Sequence, residues 1–410
     1  MRFSIFSNKK YILIDFAYHI SMPKNFSSLN PIILIGILKA ISKWFMVLFM
    51  ILLPIFHYQW LIDTIELWYL GTLLIGWVIV GSLFISLYGS KFSFASLVFG
   101  GVLFFGCGLM CLWFRDYHCL LIIAYILPWI GMGMSGSIFD SIGASLTKEW
   151  KRFKSFSYIA MIGDVMRISY PLIFGRLYTV YGVSFVVIIS CVILFVYIVG
   201  CVILVTQEKF LWHEMASEPI ATHSLLSRNF SSVLFISFLD SIASSQLFVF
   251  LPLLLLFKWF AFGDTLIMQS LIFVGYMSGR WLVGILADKI GGFLALKRSE
   301  VGMIVTILLL MLMPVGYVTY VICRALWVAT RGTSPVISSL VFDQIDKSHY
   351  TRGSSIHTIV GYTWDAVGQF MFALLAAYFG YVAPFRWSVV VCVIVVLFIQ
   401  YRQRFSHGEG

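Results

Sequence analysis

Long apolar runs, separated by short polar segments, are the dominant pattern of this chain. Most runs are long enough to cross a bilayer as a helix, which needs about 20 apolar residues. Apolar and polar positions do not alternate within the runs, so the pattern favours helices over the strands of a membrane barrel. It predicts twelve membrane-spanning helices, at residues 31–57, 66–86, 92–114, 118–140, 155–180, 183–206, 230–256, 264–287, 299–315, 317–342, 354–380 and 386–401.

The composition agrees with a chain that lies in lipid. Of the 410 residues, 60% are hydrophobic and 11% are charged, and the mean hydropathy is +0.96. A soluble domain carries about 25% charged residues, so the apolar surplus is too large for one water-soluble core. We therefore expect an all-α polytopic membrane protein.

Lysine and arginine are concentrated in every second loop. With a cytoplasmic N-terminus, 18 of them fall in cytoplasmic segments and three, Arg115, Lys258 and Arg386, in outer loops. Cytoplasmic loops carry such an excess, so both termini are predicted to lie inside, most simply in a plasma membrane such as a bacterial inner membrane. This bias accounts for the net charge of +10, so nucleic-acid binding is not needed to explain it.

Two further features exclude other interpretations. Residues 1–30 hold a short apolar stretch with Asp15 and His19 and no small-residue cleavage site, so we interpret them as a cytoplasmic arm rather than a cleaved signal. The seven cysteines show no metal-ligand spacing, so they are interpreted as packing residues. Neither a metal nor another cofactor is predicted.

The chain repeats itself. Landmark residues recur at offsets of 200 to 203: Asp140 with Asp343, Arg152 with Arg352, and Asp164 with Asp365. The offset predicts two pseudo-symmetric six-helix bundles. Their expected bounds are residues 31–206 and 230–401, with a cytoplasmic linker at 207–229 and a cytoplasmic tail at 402–410.

Charges inside the spans follow a second regularity. Spans 3, 6, 9 and 12 carry none in their interiors, whereas the other spans together hold Lys39, Lys43, Asp140, Asp164, Arg167, Arg176, Asp240, Arg280, Arg324, Arg331, Asp343 and Asp365. A charge facing lipid is costly, so these side chains should face the bundle interior or water. Every third span is therefore predicted to face lipid.

Several motifs resemble one family. "GILADKIGG", residues 284–292, resembles the signature loop of the major facilitator superfamily, Gly-x-Leu-x-Asp-Arg/Lys-x-Gly-Arg. Its first-half copy, "SLFISLYGSK", keeps Gly89 and Lys91 but has Ser86 in place of the aspartate. "GDVMRISYPLIFG", residues 163–175, resembles the family's helix-5 segment, and residues 323–354 resemble its helix-10 stretch. The resemblance covers residues 31–402.

The resemblance implies a function as well as a fold. It implies a monomeric secondary active transporter, not an enzyme, that moves a small organic solute by alternating access. Proton coupling is expected, since the chain has no ATP-binding motif. Pro171 with Gly175 resembles a helix-5 antiporter motif, which favours export of a drug-like compound or a secreted metabolite such as a siderophore. Proton-coupled uptake of an anionic nutrient and a non-transporting receptor stay open as alternatives.

The signature loop is expected to act as a latch between the two halves. Gly284 permits close helix approach, and Gly291 allows a tight turn. Asp288 can meet backbone N–H groups at a neighbouring helix N-terminus or a nearby cation, and Lys289 follows it. Arg280, eight residues before Asp288, is expected to have a structural role in the same region.

Ionisable residues near mid-depth are the candidate site. Lys43, Arg167 and Arg331 come from three spans and could together bind an anionic group of the substrate. Alternatively, each base neutralises an acid. The pairs would then be Arg167 with Asp164, Lys43 with Asp240, and Arg331 with Asp365.

The mid-depth acids are candidates for proton coupling. Burial favours the neutral form of a carboxylic acid, whereas a basic partner favours its charged form. An acid that alternates between these surroundings can therefore carry a proton, and the candidates are Asp164, Asp240 and Asp365. The alternative role of Asp164 and Asp365 is to pin neighbouring helices, because they occupy matched repeat positions.

Overall fold

The computed structural model describes residues 31–60, 64–114, 117–147, 152–207, 227–244, 262–312, 325–326, 329–330, 332–380 and 383–406. The predicted arm at 1–30, the linker residues 208–226, the tail residues 407–410 and the candidate Arg331 lie outside these residues. Arg167 belongs to a described helix, but its side chain is not among the described ones.

The first half consists of helices joined by short turns. They are α1 (Pro31–Trp60), α2 (Thr64–Tyr88), α3 (Phe94–Trp113) and α4 (His118–Leu146), followed by one helical stretch, Arg152–Gln207. Gly182 breaks this stretch with a left-handed φ of 72°, a conformation that favours glycine. We call residues 152–181 α5 and residues 183–207 α6.

The second half repeats this arrangement. It comprises α7 (Arg228–Ser244), α8 (Phe262–Ile290), α9 (Gly292–Leu312), α10 (Ser334–Phe342), α11 (Tyr350–Phe379) and α12 (Ala383–Ser406). Among the described residues there are therefore twelve α-helices and no strand, which confirms the predicted fold class. Short 3₁₀ turns, Gly89–Lys91 and Lys347–His349, precede α3 and α11.

Several of these helices suit a membrane by length and composition. Among the described residues, six segments are long and apolar enough to cross one: Ala95–Trp113, Cys119–Leu146, Ser184–Thr206, Ser270–Ile290, Tyr350–Phe379 and Ala383–Arg404.

The start of α9 differs from its prediction. The expected span begins at residue 299, but the helix begins at Gly292. Gly291, with a φ of 87°, makes the whole turn from α8, and Lys297 and Arg298 are helical rather than part of a loop. Hydropathy ends at a charged residue, whereas a helix ends where the backbone leaves helical geometry, so the two limits need not coincide.

Glycines let helix backbones touch within each half. A Cβ at Gly133 of α4 would lie 2.1 Å from the carbonyl oxygen of Val78 in α2, and one at Gly279 of α8 would lie 1.9 Å from that of Ala329. No side chain fits at either distance, so these glycines set how closely the helices approach.

The outer surface is apolar on every third helix. Leu103 of α3, Phe195 of α6, Val305 of α9 and Leu397 of α12 are each between 50% and 66% exposed. Large exposed apolar side chains are unfavourable in water and suit contact with acyl chains. Similar exposed side chains occur on other helices, such as Leu73 of α2 and Leu282 of α8, so exposure does not single out every third helix.

The two halves meet along matched helices. α5 packs against α8 and α2 against α11, and α4 also contacts α11. In the repeat, α5 corresponds to α11 and α8 to α2. The two contacts are therefore equivalent, as a pseudo-twofold axis requires. The centre of the molecule therefore lies between these two seams.

Candidate functional site

A cavity of about 250 Å³ lies between the two halves. Its lining residues come from α1, α2, α4 and α5 of the first half and from α7, α8, α10, α11 and the turn before α10 of the second. None of the described lining residues belongs to α3, α6, α9 or α12. The cavity thus occupies the central position that the charge pattern predicts.

The cavity wall combines many polar side chains with a larger apolar surface. The charged members are Lys39, Lys43, Asp140, Asp240, Arg280 and Asp365, and His357 and Gln369 add an imidazole and an amide. Hydroxyl groups come from Ser42, Ser237, Ser241, Thr333, Ser334, Ser338 and Thr358, and aromatic surface from Trp129, Phe156, Tyr276 and Tyr362. Such a wall can hydrogen-bond a polar solute at many points, and a purely apolar solute could not make these hydrogen bonds.

An ion pair closes one side of the wall. Lys39 of α1 donates to Asp140 of α4, and Ser42 donates to the carbonyl oxygen of Lys39 at 2.9 Å. Lys43 lies one turn further along α1 and also lines the cavity, so the two lysines share a helix face as their spacing predicts.

A second cluster surrounds Asp164, whose side chain is fully buried. Arg280 Nη1 donates to both carboxylate oxygens, at 2.9 and 2.8 Å, and Lys43 Nζ lies 3.7 Å from Oδ1. Arg280 Nη2 donates to the hydroxyls of Tyr276 at 2.8 Å and Ser334 at 3.0 Å. A buried carboxylate needs such partners, and here the main partner comes from the opposite half.

The structure assigns these partners differently from the sequence hypotheses. Lys43 Nζ lies 3.7 Å from Asp164 Oδ1, whereas the hypothesis paired Lys43 with Asp240. Arg280 is a cavity residue that holds Asp164, rather than part of the contact made by the loop eight residues later. The hypothetical pairs with Arg167 and Arg331 involve side chains outside the described ones.

The remaining acids reach the cavity from the second half. Asp240 of α7 accepts a hydrogen bond from Thr333 Oγ1 at 3.0 Å and is 8% exposed. Asp365 of α11 lines the same cavity. Both therefore lie where a solute could reach them, whereas Asp164 lies behind Lys43 and Arg280.

The signature loop docks on the first half. The carboxylate of Asp288 accepts from the backbone N–H of Lys154 in the first turn of α5, where a helix N-terminus favours negative charge. Gly284 packs so tightly on α5 that a Cβ there would lie 1.9 Å from Ser157 Oγ. Gly291 makes the turn after Lys289, the basic residue in the last turn of α8.

A second contact at this end joins the halves through Arg152. Its guanidinium pairs with Asp343 and donates to the hydroxyl of Tyr350 at 3.0 Å. Arg152 is 1% exposed, although it lies before the predicted span that begins at residue 155, because the adjoining half covers the start of α5. Beside it, the rings of Phe156 and Phe342 lie 5.5 Å apart.

Helices α4 and α11 extend the same closure. The hydroxyls of Ser141 and Thr351 lie 2.9 Å apart, and Ser137 donates to Thr358 at 3.4 Å.

Arg152 and Asp343 both stand out in the sequence, the first as a repeat landmark and the second as a charge at the end of a span. They are 191 residues apart, and neither the repeat offset nor the positions of charges in the spans predicts that they pair.

Two helical bundles around a central polar cavity define the architecture of membrane transport proteins that work by alternating access. The chain belongs to the Major Facilitator Superfamily, whose family model matches residues 32–369. This confirms the family indicated by the sequence motifs. The protein is accordingly a multi-pass integral membrane protein of a secondary-transporter family.

Solved structures share the fold over nearly the whole chain. FucP of E. coli in its outward conformation aligns with a TM-score of 0.70 at 13% identity, covering 92% of this chain and 99% of that one. The human organic anion transporter MFSD10 gives 0.69 at 14%, covering 92% and 100%. The proton:xylose symporter XylE bound to 6-bromo-6-deoxy-D-glucose gives 0.71 at 13%, covering 90% and 94%. A comparison with curated protein sequences finds no match.

Proposed function

We propose that the protein is a secondary active transporter that moves a small polar solute by alternating access, driven by a proton gradient. The observation that carries this proposal is the charged cavity between the halves, together with the contacts that join the halves at one end. In this architecture the solute binds between the bundles, which rock around it.

The joined end is cytoplasmic in the proposed topology, with both termini inside a plasma membrane such as a bacterial inner membrane. Opening this end requires the Arg152–Asp343 pair to break and Asp288 to leave the start of α5. These contacts therefore stabilise the state in which the cavity is shut off from the cytoplasm. We expect the working unit to be a monomer surrounded by lipid.

Lys43 is the best-supported contact for an anionic group of the solute. It lines the cavity, its side chain is 15% exposed, and its Nζ lies 3.7 Å from Asp164 Oδ1. Arg167 and Arg331 stay proposals from the sequence as further members of this anion site.

Asp240 and Asp365 are the proposed proton carriers. Both line the cavity, where opening and closing change their access to water and so the balance between their charged and neutral forms. Asp164 fits a structural role better, since Arg280 and Lys43 both stabilise its charge. We therefore expect Asp164 to pin α5 to α8 while another acid takes and releases the proton.

Import is the direction that we favour. The cavity wall carries several charges and hydroxyls. A polar solute can make charge-assisted hydrogen bonds with them, so we favour it over the drug-like substrate considered from the sequence. XylE, which has the same fold, is described as a proton symporter of a sugar. Export of a polar secreted metabolite is the second candidate, supported by the Pro171 and Gly175 motif.

Reconstitution into liposomes tests this function. Under an imposed pH gradient, the protein should show proton movement only when its solute is added, and labelled solute should exchange in counterflow. The Asp240→Asn protein keeps the size of the side chain. It should still exchange solute at a saturating concentration but lose accumulation driven by pH. A protein that binds a solute but exchanges none in either orientation would be a receptor, and the transport proposal would be wrong.

A further inference from the structure

The cavity wall built around the first half carries a positive excess. The side chains of Lys39, Lys43 and Arg280 gather on the carboxylates of Asp140 and Asp164. Among the described residues of this wall, three cations thus face two acids. Arg280 comes from α8, but its guanidinium is directed at Asp164 of the first half.

The opposite wall is built from α7 and α11, and its described lining residues include two acids and no lysine or arginine. Asp240 and Asp365 line the cavity there. Asp240 accepts from the Thr333 hydroxyl at 3.0 Å, and an ionised carboxylate has further acceptor positions on its two oxygens. This wall can therefore accept hydrogen bonds from a cationic donor.

The two walls lie close together. Lys39 and Lys43 on one side and Asp240 and Asp365 on the other line the same cavity. The cavity between them measures about 250 Å³. One small molecule can therefore touch both walls at once.

We propose that the solute is a small zwitterion, with its anionic group toward Lys43 and its protonated amine toward Asp240 and Asp365. This inference rests on the proposed transport function and specifies its substrate class. Each charge of a zwitterion exchanges its hydration for a charge-assisted hydrogen bond, whereas an ion of one sign would satisfy only one wall. Tyr276 and Tyr362 add aromatic faces that suit an ammonium group.

The same arrangement links recognition to movement. Lys43 belongs to the first half and Asp240 to the second, so a zwitterion held at both ends joins the halves across the cavity. A solute with one charge lacks this bridge. Binding of the complete zwitterion should therefore favour the closed, occluded arrangement.

Matched ligands test the class directly. The purified full chain is screened by thermal stabilisation with the common amino acids, dipeptides and betaines, each set including analogues that lack one charge. One matched set is leucine, 4-methylpentanoate and 3-methylbutylamine; another is phenylalanine, 3-phenylpropanoate and 2-phenylethylamine. At least one zwitterion should bind, and its single-charge analogues should bind about 10- to 100-fold more weakly, as expected for loss of a charged hydrogen bond.

Charge-removing variants assign each end. Asp240→Asn, or Asp365→Asn if the first is poorly folded, should weaken binding of the zwitterion and leave the affinity for the amine-free analogue unchanged. Lys43→Gln should weaken binding of the zwitterion and of the amine-free analogue. It should leave the affinity for the amine analogue unchanged. Lys91→Gln, which removes an exposed lysine outside the cavity, is the control and should change neither affinity.

The outcomes separate this inference from the transport proposal. If no zwitterion binds, or if a single-charge or uncharged solute binds at least as tightly as the best zwitterion, the proposed substrate class is wrong. Counterflow of that other solute would leave the transport function intact. A zwitterion that binds without exchanging would support the class and contradict the transport function.

Discussion

At the scale of single residues, the buried carboxylate of Asp164 shows how the two halves depend on each other. Its side chain has no exposed surface, and its shortest ion pair is with Arg280 of the opposite half. Lys43, from its own half, lies further away at 3.7 Å. When the halves separate, Arg280 must leave, and Lys43 remains as the countercharge.

Removing Arg280 should therefore destabilise the protein by less than an ordinary broken buried pair. Loss of one partner commonly costs about 3–5 kcal/mol, and Lys43 should reduce this to roughly 2–3 kcal/mol. The measurement is thermal unfolding of Arg280→Gln in detergent, with the double variant Asp164→Asn and Arg280→Gln as its control. The double variant should recover part of the loss; equal instability of both proteins would show that Asp164 is not what Arg280 stabilises.

The sequence locates such residues but does not pair them. A charge inside an apolar span is noticeable because it is costly in lipid, and Lys43, Asp164, Asp240 and Arg280 were all recognisable in this way. Which acid meets which base depends on the rotation of each helix and on how the halves dock. Neither is encoded in local spacing, so the Arg280–Asp164 pair emerged only from the structure.

At the scale of helices, α5 and α8 pack closely across the two halves, and Gly284 makes this approach possible. An added Cβ would lie 1.9 Å from Ser157 Oγ and 2.6 Å from its Cβ, so the helices must move apart. Gly284→Ala should therefore weaken the closure at this end, which is cytoplasmic in the proposed topology.

The rate at which a maleimide labels Ser141→Cys from the cytoplasmic side measures that closure. Ser141 is 1% exposed, so labelling requires opening, and Gly284→Ala should accelerate it roughly 10-fold, equivalent to a shift of about 1.4 kcal/mol. Gly76→Ala, whose Cβ would meet nothing within 4 Å, is the matched control. Equal labelling rates in both proteins would mean that the α5–α8 contact does not govern closure.

Helix identities were readable from the sequence, but helix ends were less so. Continuous apolar runs predict the twelve helices because each must fill the width of the bilayer. At the ends the apolar signal stops at charged residues, so Lys297 and Arg152 were assigned to loops although both are helical. Arg152 shows that a basic residue at a helix start can be buried by another part of the chain.

At the scale of the whole molecule, the Arg152–Asp343 pair should hold the closed state together. Arg152→Gln leaves Asp343 and the Tyr350 hydroxyl without this cation, which should cost about 1–3 kcal/mol of closed-state stability. The Ser141→Cys labelling rate should rise accordingly. The charge exchange Arg152→Asp with Asp343→Arg should restore slow labelling; if it labels as fast as the single variant, the pair does not act as a bridge between the halves.

The two-bundle architecture was predictable because the repeat offset and the spacing of charged helices both reflect it. The cavity was predictable only as a region enclosed by the charged helices. Its bipolar walls and its closure at one end depend on contacts between residues about 100 to 200 positions apart, such as Lys39 with Asp140 and Ser141 with Thr351. No local pattern specifies contacts of that range.

A reversible cross-link between the halves tests most directly whether they move around the cavity. The hydroxyls of Ser141 and Thr351 are 2.9 Å apart, close enough for cysteines at both positions to form a disulfide. Oxidation of this double variant should abolish solute exchange in liposomes, and reduction should restore it, while oxidant should not affect the chain without the introduced pair. Exchange that continues through the fully cross-linked protein would contradict alternating access by separation of the halves.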